Sequence, residues 1–276
     1  MTSRNANLYV TLSEFKSQLG ISSTDTIDDS YLSQTLEEAS RSIDDMCGRF
    51  FYPAVDTLYY DTPIDDRLRF WYDDLLEPLT VTNGSNGALS SSDYYMIPYN
   101  KTPYVALALK SGTGQVWVSD TDNITEKAIA LEGIWGYRQN YSRDGWHTLT
   151  TLGAGEDSDT SALTVTDDTS AKMGDILRID NEIITVTAEP TGAGILTVER
   201  AWNGSTGAAH LNNAPVKRWY VEPAVVKATA IQAHRLFKRR DAPFGVVANA
   251  ASGGDMRISN LDMDVIALVR PYVRMF

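Results

Sequence analysis

The sequence predicts an α+β protein: a helical core built from the N- and C-terminal helices, with an antiparallel β-sheet and a second small β-module inserted between them. Three observations carry this. Apolar residues recur at steps of three and four near both ends of the chain, the long middle alternates with a period of two, and no long amphipathic helix separates the middle runs. The expected boundaries are 1–54 for the first part of the helical core, 55–144 for the β-domain, 145–218 for the inserted module, and 219–276 for the closing helices and tail.

The first helix is announced by "VTLSEF". Thr11 can cap it, Glu14 completes a capping box, Val10 and Phe15 form a hydrophobic staple, and Gly20 stops it after residue 19. The second begins at "TIDDSYL", with Asp28 as N-cap and Ile27 with Leu32 as a second staple. Along it Leu32, Leu36, Ala39, Ile43 and Met46 share one face, which reads as core, and Gly48 ends it.

From 55 to 144 the runs "VDTLYYD", "LTVT", "DYYMIP", "YVALALK", "QVWVS" and "AIALEGIWGY" read as short strands separated by turn clusters such as "TNGSNG". The polar stretch "TLGAGEDSDTS" reads as a linker. Beyond it "ALTVTD", "GDILRIDNEIITVT" and "GILTVERAW" form a second β-unit, whose clearest feature is a hairpin turning at Asp180-Asn181, residues that tolerate positive φ. Helix returns at "EPAVVKATAIQAHRLFKRR": Pro223 suits the first turn, Val226, Ala230, Ala233 and Phe237 form an apolar stripe, and Lys227, His234, Arg235 and Lys238 cluster on another side. A Gly/Ala/Ser-rich loop leads to a last helix presenting Leu261, Val265, Leu268 and Val269, closed by Pro271.

Charge narrows the partners. With 24 Lys and Arg against 36 Asp and Glu the net charge is −12, which argues against broad binding to nucleic acid or an anionic membrane. Acid dominates the first 80 residues, whereas 217–240 holds seven basic residues and one acid. The single Cys47 cannot form an intrachain disulfide, and no run approaches the roughly 18 apolar residues that span a bilayer. The polar start "MTSRNANLY" lacks the apolar segment of a signal peptide, so a soluble, non-secreted protein is expected.

No constellation for catalysis stands out. His147, His210 and His234 are scattered, the spacings of zinc sites are absent, and there is no nucleophile elbow or phosphate-binding glycine loop. The carboxylate pairs Asp44-Asp45, Asp65-Asp66, Asp73-Asp74 and Asp167-Asp168 are adjacent in sequence, so on a strand each pair points to opposite faces. The aromatics Phe70, Trp71 and Tyr72 suit packing or an interface better than a sugar platform. Glu182, Arg200 and His210 read as turn and packing residues. The expectation is no catalytic residue, no metal and no cofactor.

The order of these elements resembles a known family. "YVTLSEFKSQLGI...DDSYLSQTLEEASRSIDDMCGRFFYP" is similar to the N-terminus of the gp6-like head-tail connector (adaptor) proteins of tailed bacteriophages. "EPLTVT...DYYMIPYNKTPYVALAL...IALEGIWGY" resembles the β-insertion of longer relatives, and "EPAVVKATAIQAHRLFKRRDAP" with "DVIALVRPYVR" resembles their closing helices. The unit at 145–218 is similar to small modules of phage structural proteins.

The resemblance implies a structural protein of the virion neck, assembled in the host cytoplasm as a homododecamer beneath the portal. Its partners would be the portal protein, eleven further copies of itself, and a downstream stopper or tail protein, with no membrane. Double-stranded DNA would pass through the channel, during packaging and genome ejection, without sequence-specific binding. Under that reading Pro271, Tyr272, Val273, Arg274, Met275 and Phe276 are portal-contact candidates. Lys227, Arg235, Lys238, Arg239 and Arg240 are subunit-interface candidates, and Glu37, Glu38, Asp44 and Asp45 are acidic channel-facing candidates. Removing residues 271–276 is expected to leave a folded protein that no longer joins portal rings. The alternative reading is a tail, baseplate or decoration protein whose β-modules bind carbohydrate or protein.

Overall fold

The computed structural model describes residues 7–63, 70–139, 145–240, 246–248, 255–257 and 262–274. It is an α+β fold with antiparallel sheets. The helices are α1 (Leu12–Leu19), α2 (Asp29–Cys47), α3 (Pro223–Arg239) and α4 (Met263–Val269). A first sheet contains β1 (Ala54–Tyr60), β2 (Phe70–Asn83), β3 (Tyr94–Ile97), β4 (Tyr104–Leu109) and β5 (Ile129–Trp135), in the order β1-β5-β2-β4-β3. A second contains β6 (Trp146–Thr151), β7 (Ala162–Thr164), β8 (Ile176–Ile179), β9 (Glu182–Val186), β10 (Ile195–Glu199) and β11 (Pro215–Trp219), in the order β6-β11-β8-β9-β10-β7. A short ribbon, β12 (Val246–Ala248) with β13 (Asp255–Arg257), lies between α3 and α4.

The first helix forms as its local chemistry dictates. Thr11 Oγ1 accepts the Glu14 N–H at 3.3 Å, the Glu14 carboxylate accepts the Thr11 N–H at 3.2 Å, and Val10 and Phe15 are both buried. In α2, Leu32, Leu36, Ala39 and Ile43 are fully buried, while Met46 is half-buried at the rim. The second staple does not form: Ile27 is 90% exposed, and Asp28 caps nothing with its side chain but pairs with Arg240 at 3.2 Å. The reason lies in Lys16. This lysine is only 3% exposed; its ammonium donates to the Asp25 carbonyl at 2.6 Å and to Asp29 Oδ1 at 2.7 Å. A buried cation must find acceptors, and wrapping the loop around it turns Ile27 outward.

The two ends of the chain bury their apolar faces together. Ile43, Cys47 and Phe51 meet Val225 and Ala228 of α3 and Val265 and Val269 of α4, closed by Tyr9 and Tyr137. The fully buried residues of α3 are Val225, Ala228, Thr229, Gln232 and Ala233; of the stripe expected for it Ala233 is buried, while Val226, Ala230 and Phe237 are half-buried and pack with Leu236 on the core of α1 and α2 around Phe15, Leu32 and Leu36. Small residues at 228, 229 and 233 let the backbone approach its neighbours closely, a packing that a count of apolar residues does not reveal.

In the first sheet five of the six expected runs become strands. The sixth, "QVWVS", is irregular because Asn83 occupies its backbone: the Asn83 amide donates to the Val116 carbonyl at 2.8 Å and accepts the Val118 N–H at 3.0 Å. Trp117 is buried all the same. In the second sheet the hairpin pairs Ile179 with Glu182, and Asp180 adopts φ 53°. The stretch expected to be a linker is part of this sheet's fabric. Leu152 is buried, and the Glu156 carboxylate accepts the Thr164 N–H at 2.7 Å while its backbone pairs with His210.

The second sheet is fastened to the rest. Trp146 and Trp219 stack edge-on at 5.1 Å in a cluster with Ile134 of the first sheet and Ile176 and Ile183 of the second. The Trp219 indole donates to the Phe51 carbonyl at 2.9 Å. Near the "WNG" turn the Trp202 indole and the Asn203 amide reach Asn7, and Asn203 also donates to the Pro53 carbonyl at 2.8 Å. Gly204 sits at φ 80°, and a Cβ there would overlap the Val55 carbonyl oxygen. Gly204→Ala is therefore expected to cost about 2 kcal/mol or more, seen as a lower midpoint in urea denaturation and faster proteolysis between the two sheets.

Candidate functional site

The densest polar cluster is internal. Glu182 at the start of β9 is buried; Arg200 Nε donates to its Oε1 at 2.7 Å and Nη2 to its Oε2 at 2.6 Å. The N–H groups of Ala201 and Ala208 donate to the same carboxylate at 3.0 Å each. His210 lies between two acids, Nε2 at 2.9 Å from Glu182 and Nδ1 at 2.8 Å from Asp180. Burial pushes the Glu182 carboxyl up, but the hydrogen bonds from Arg200, Ala201, Ala208 and His210 together hold it down to about 2. Arg200 also donates to the carbonyls of Asp157, Thr160 and Ala208. Every acceptor of the carboxylate is occupied, so this is a clasp that closes the 200–210 loop over the hairpin, with no position left for a reacting atom.

A second cluster joins the N-terminal segment to α2. The Tyr9 hydroxyl donates to Asp44 Oδ1 and accepts the Phe51 N–H at 2.9 Å, while Arg41 Nε donates to Asp44 Oδ2 at 2.8 Å. Burial pushes Asp44 up to about 6 against the opposing bonds from Tyr9 and Arg41, and burial, with Asp44 next to it, raises Tyr9 well above the usual phenol range. A carboxyl whose folded pKa lies above its unfolded value of about 3.9 binds protons more readily in the native state. Its contribution to stability is therefore expected to fall as pH rises from about 4 through about 6. Comparing urea midpoints at pH 4.5 and 7 for the wild type and Asp44→Asn checks this, the variant showing the smaller decline.

The chain terminus closes a third cluster. Arg274 donates its N–H to the Cys47 carbonyl at 2.8 Å, and its guanidinium pairs with Asp73 and, at 3.0 Å, with Asp74. Asp74 also faces Arg49 at 3.4 Å; burial pushes its carboxyl up, against Arg49 and Arg274. Tyr272 meets Phe51 at 6.0 Å and Tyr137 at 5.8 Å, both edge-on. Of the tail candidates, Tyr272 and Arg274 are thus engaged with the body, Pro271 and Val273 are exposed, and Met275 and Phe276 lie outside the described residues. Asp65 and Asp66 lie outside them too, as do the side chains of Phe70, Trp71 and Tyr72.

The acidic candidates of α2 divide. Glu38 and Asp45 are exposed and Glu37 is half-buried, whereas Asp44 is turned to Tyr9 and Arg41. The basic candidates of α3 divide as well. Arg235 pairs with Asp262 at 3.1 Å, and Arg240 pairs with Asp28 and lies over the Tyr31 and Phe237 rings; Arg239 is half-buried. Lys227 and Lys238 are exposed, with His234 between them on the same stripe.

That stripe borders an open groove of about 900 Å³ along α3, floored by Val226, Ala230 and Ile231. Val226 and Ala230 do pack against the core of α1 and α2, as expected, but they are only half-buried, and the part left open to the groove was missed by sequence reasoning. The signal was present in Thr229 and Gln232, polar residues one turn apart whose burial rotates the helix. Among the described residues no group of His, Cys, Asp and Glu is arranged to hold a metal, and no helix is long and apolar enough to cross a membrane.

Residues 9–76, which span α1, α2, β1 and the start of β2, match the family model of the phage gp6-like head-tail connector proteins. Over this segment the chain is similar to the phage gp6-like head-tail connector proteins. The match covers 68 of its 276 residues. It supports, in general, a phage connector role that is structural rather than enzymatic, a place in the virion, and neighbours on the portal and tail sides. No curated protein matches the chain.

Proposed function

We propose that this protein is a head-tail connector that assembles as a ring of twelve beneath the portal in the virion neck, lengthens the DNA channel, and docks the next neck or tail component. The observation that carries the reading is the family match across α1 and α2, the half of the helical core against which α3 and α4 pack. Charge supports it. A net −12 per subunit makes any ring strongly negative, and acidic surface such as Glu38 and Asp45 on a channel wall lets DNA pass without being held. The four-part division at residues 54, 144 and 218 belongs to this proposal, with both sheets carried outward by the helical core. So does assembly in the host cytoplasm.

The test is to mix the purified full chain with portal rings of the same phage and image the product by electron microscopy. A twelvefold collar stacked on the portal is the expected result. Absence of association, with the protein instead at the tail tip or on the head surface, would overturn the reading in favour of a decoration protein.

A further inference from the structure

Two features of the surface stand out. Ile27 is the most exposed of the large apolar side chains among the described residues, yet its loop is held firmly from beneath by buried Lys16. The loop is acidic around it. Asp25 is exposed and accepts the Ile27 N–H at 3.2 Å, whereas Asp28 pairs with Arg240 and Asp29 with Lys16, so Asp25 carries the open charge. The result is a fixed apolar knob with negative charge beside it.

The groove along α3 has the complementary character. Its floor is the half-buried Val226, Ala230 and Ile231; Asp262 in its lining is paired with Arg235, and its rim carries Lys227 and Lys238, exposed cations that no described acid pairs. In a chain of net charge −12 such a strip draws acidic surface, and a second copy of the same chain supplies it. We infer that the α3 groove receives the Ile27 loop of a second copy, the isoleucine seated on Val226, Ala230 and Ile231 and Asp25 facing the rim lysines. Knob and groove are different surfaces, so the contact is head-to-tail and either closes into a ring or runs on as an open chain. For closure into a ring the inference rests on the connector reading; the contact itself does not.

The test uses two full-length variants, Ile27→Cys and Ala230→Cys, mixed under mild oxidation with and without portal rings. The native Cys47 is buried and stays in place. A disulfide between the two different variants, much weaker in either alone, is the expected product. Sedimentation velocity at low salt should show self-association weakened at least tenfold by Lys227→Glu with Lys238→Glu, weakened also by added salt, and restored when the partner copy carries Asp25→Lys. Thermal unfolding of the charge variants should match the wild type, because both lysines are exposed. A portal collar that forms without the mixed cross-link overturns this contact and leaves the connector reading standing. A cross-link without portal binding does the reverse, and no association in either setting removes both. Charge variants that lose portal binding while the wild-type association persists in them would give the groove to the portal, and overturn the inference.

Discussion

Glu182→Ala is expected to unfold the second sheet around the 200–210 loop. The substitution strands the Arg200 guanidinium, which is 8% exposed, and the His210 ring, which is 1% exposed, and it takes acceptors from the N–H groups of Ala201 and Ala208. Breaking one side of a buried, hydrogen-bonded charge pair costs about 3 to 5 kcal/mol, a large share of the stability of an ordinary domain. Hydrogen exchange should show lost protection across β8, β9 and β10, with α2 and α3 less affected. Acid should act on the same group. Held down to about 2 in the fold against about 4.3 unfolded, Glu182 contributes its stabilisation in full above about pH 4.3 and loses it as pH falls through about 2. The limit is roughly 3 kcal/mol. The wild type should therefore lose stability steeply in that window, and Glu182→Gln should not.

Deleting residues 271–276 is expected to lower stability by about 3 kcal/mol or more, from the lost aromatic packing and the uncompensated buried Asp74. Tyr272 leaves the Phe51 and Tyr137 rings, and Asp74, whose side chain is 9% exposed, keeps only Arg49 at 3.4 Å. Failure of that deletion to join portal rings would reflect a damaged core as much as a missing contact. The cleaner variant removes only Met275 and Phe276, so that the Arg274 pairs stay in place. Loss of portal binding by this variant, with its unfolding midpoint equal to that of the wild type, would place the contact at these two residues.

What the sequence discloses is mostly what depends on neighbours along the chain. The capping box of Thr11 and Glu14, the stop at Gly48 and the Asp180 turn each rest on a few adjacent residues and can be read directly. The α2 face is legible because its burial follows one period. The misreadings share the opposite property. Ile27 points outward because of Lys16, eleven positions earlier; "QVWVS" is claimed by Asn83, more than thirty positions earlier; Arg274 is fixed by Asp73 and Asp74 across 200 residues. The turn of α3 depends on how closely small residues allow two helices to approach, which no window of sequence contains. The candidate site suffered most, because surfaces are defined by what the core does not consume. Val226 and Ala230 stay half-exposed because Val225 and Thr229 take the fully buried positions.

Gly204 has a mechanical meaning. Its missing Cβ lets the backbone run close to the Val55 carbonyl, and with Asn203 and Trp202 holding Asn7 and Pro53 the second sheet is tied to the start of β1 at several points. Such ties are expected to make it a stiff outrigger, so that a push on its far rim becomes a torque on the strand that leads out of α2. In a closed ring such outriggers would stand at a fixed pitch, and a load on one would be felt by the helices of its own subunit before any neighbour moved.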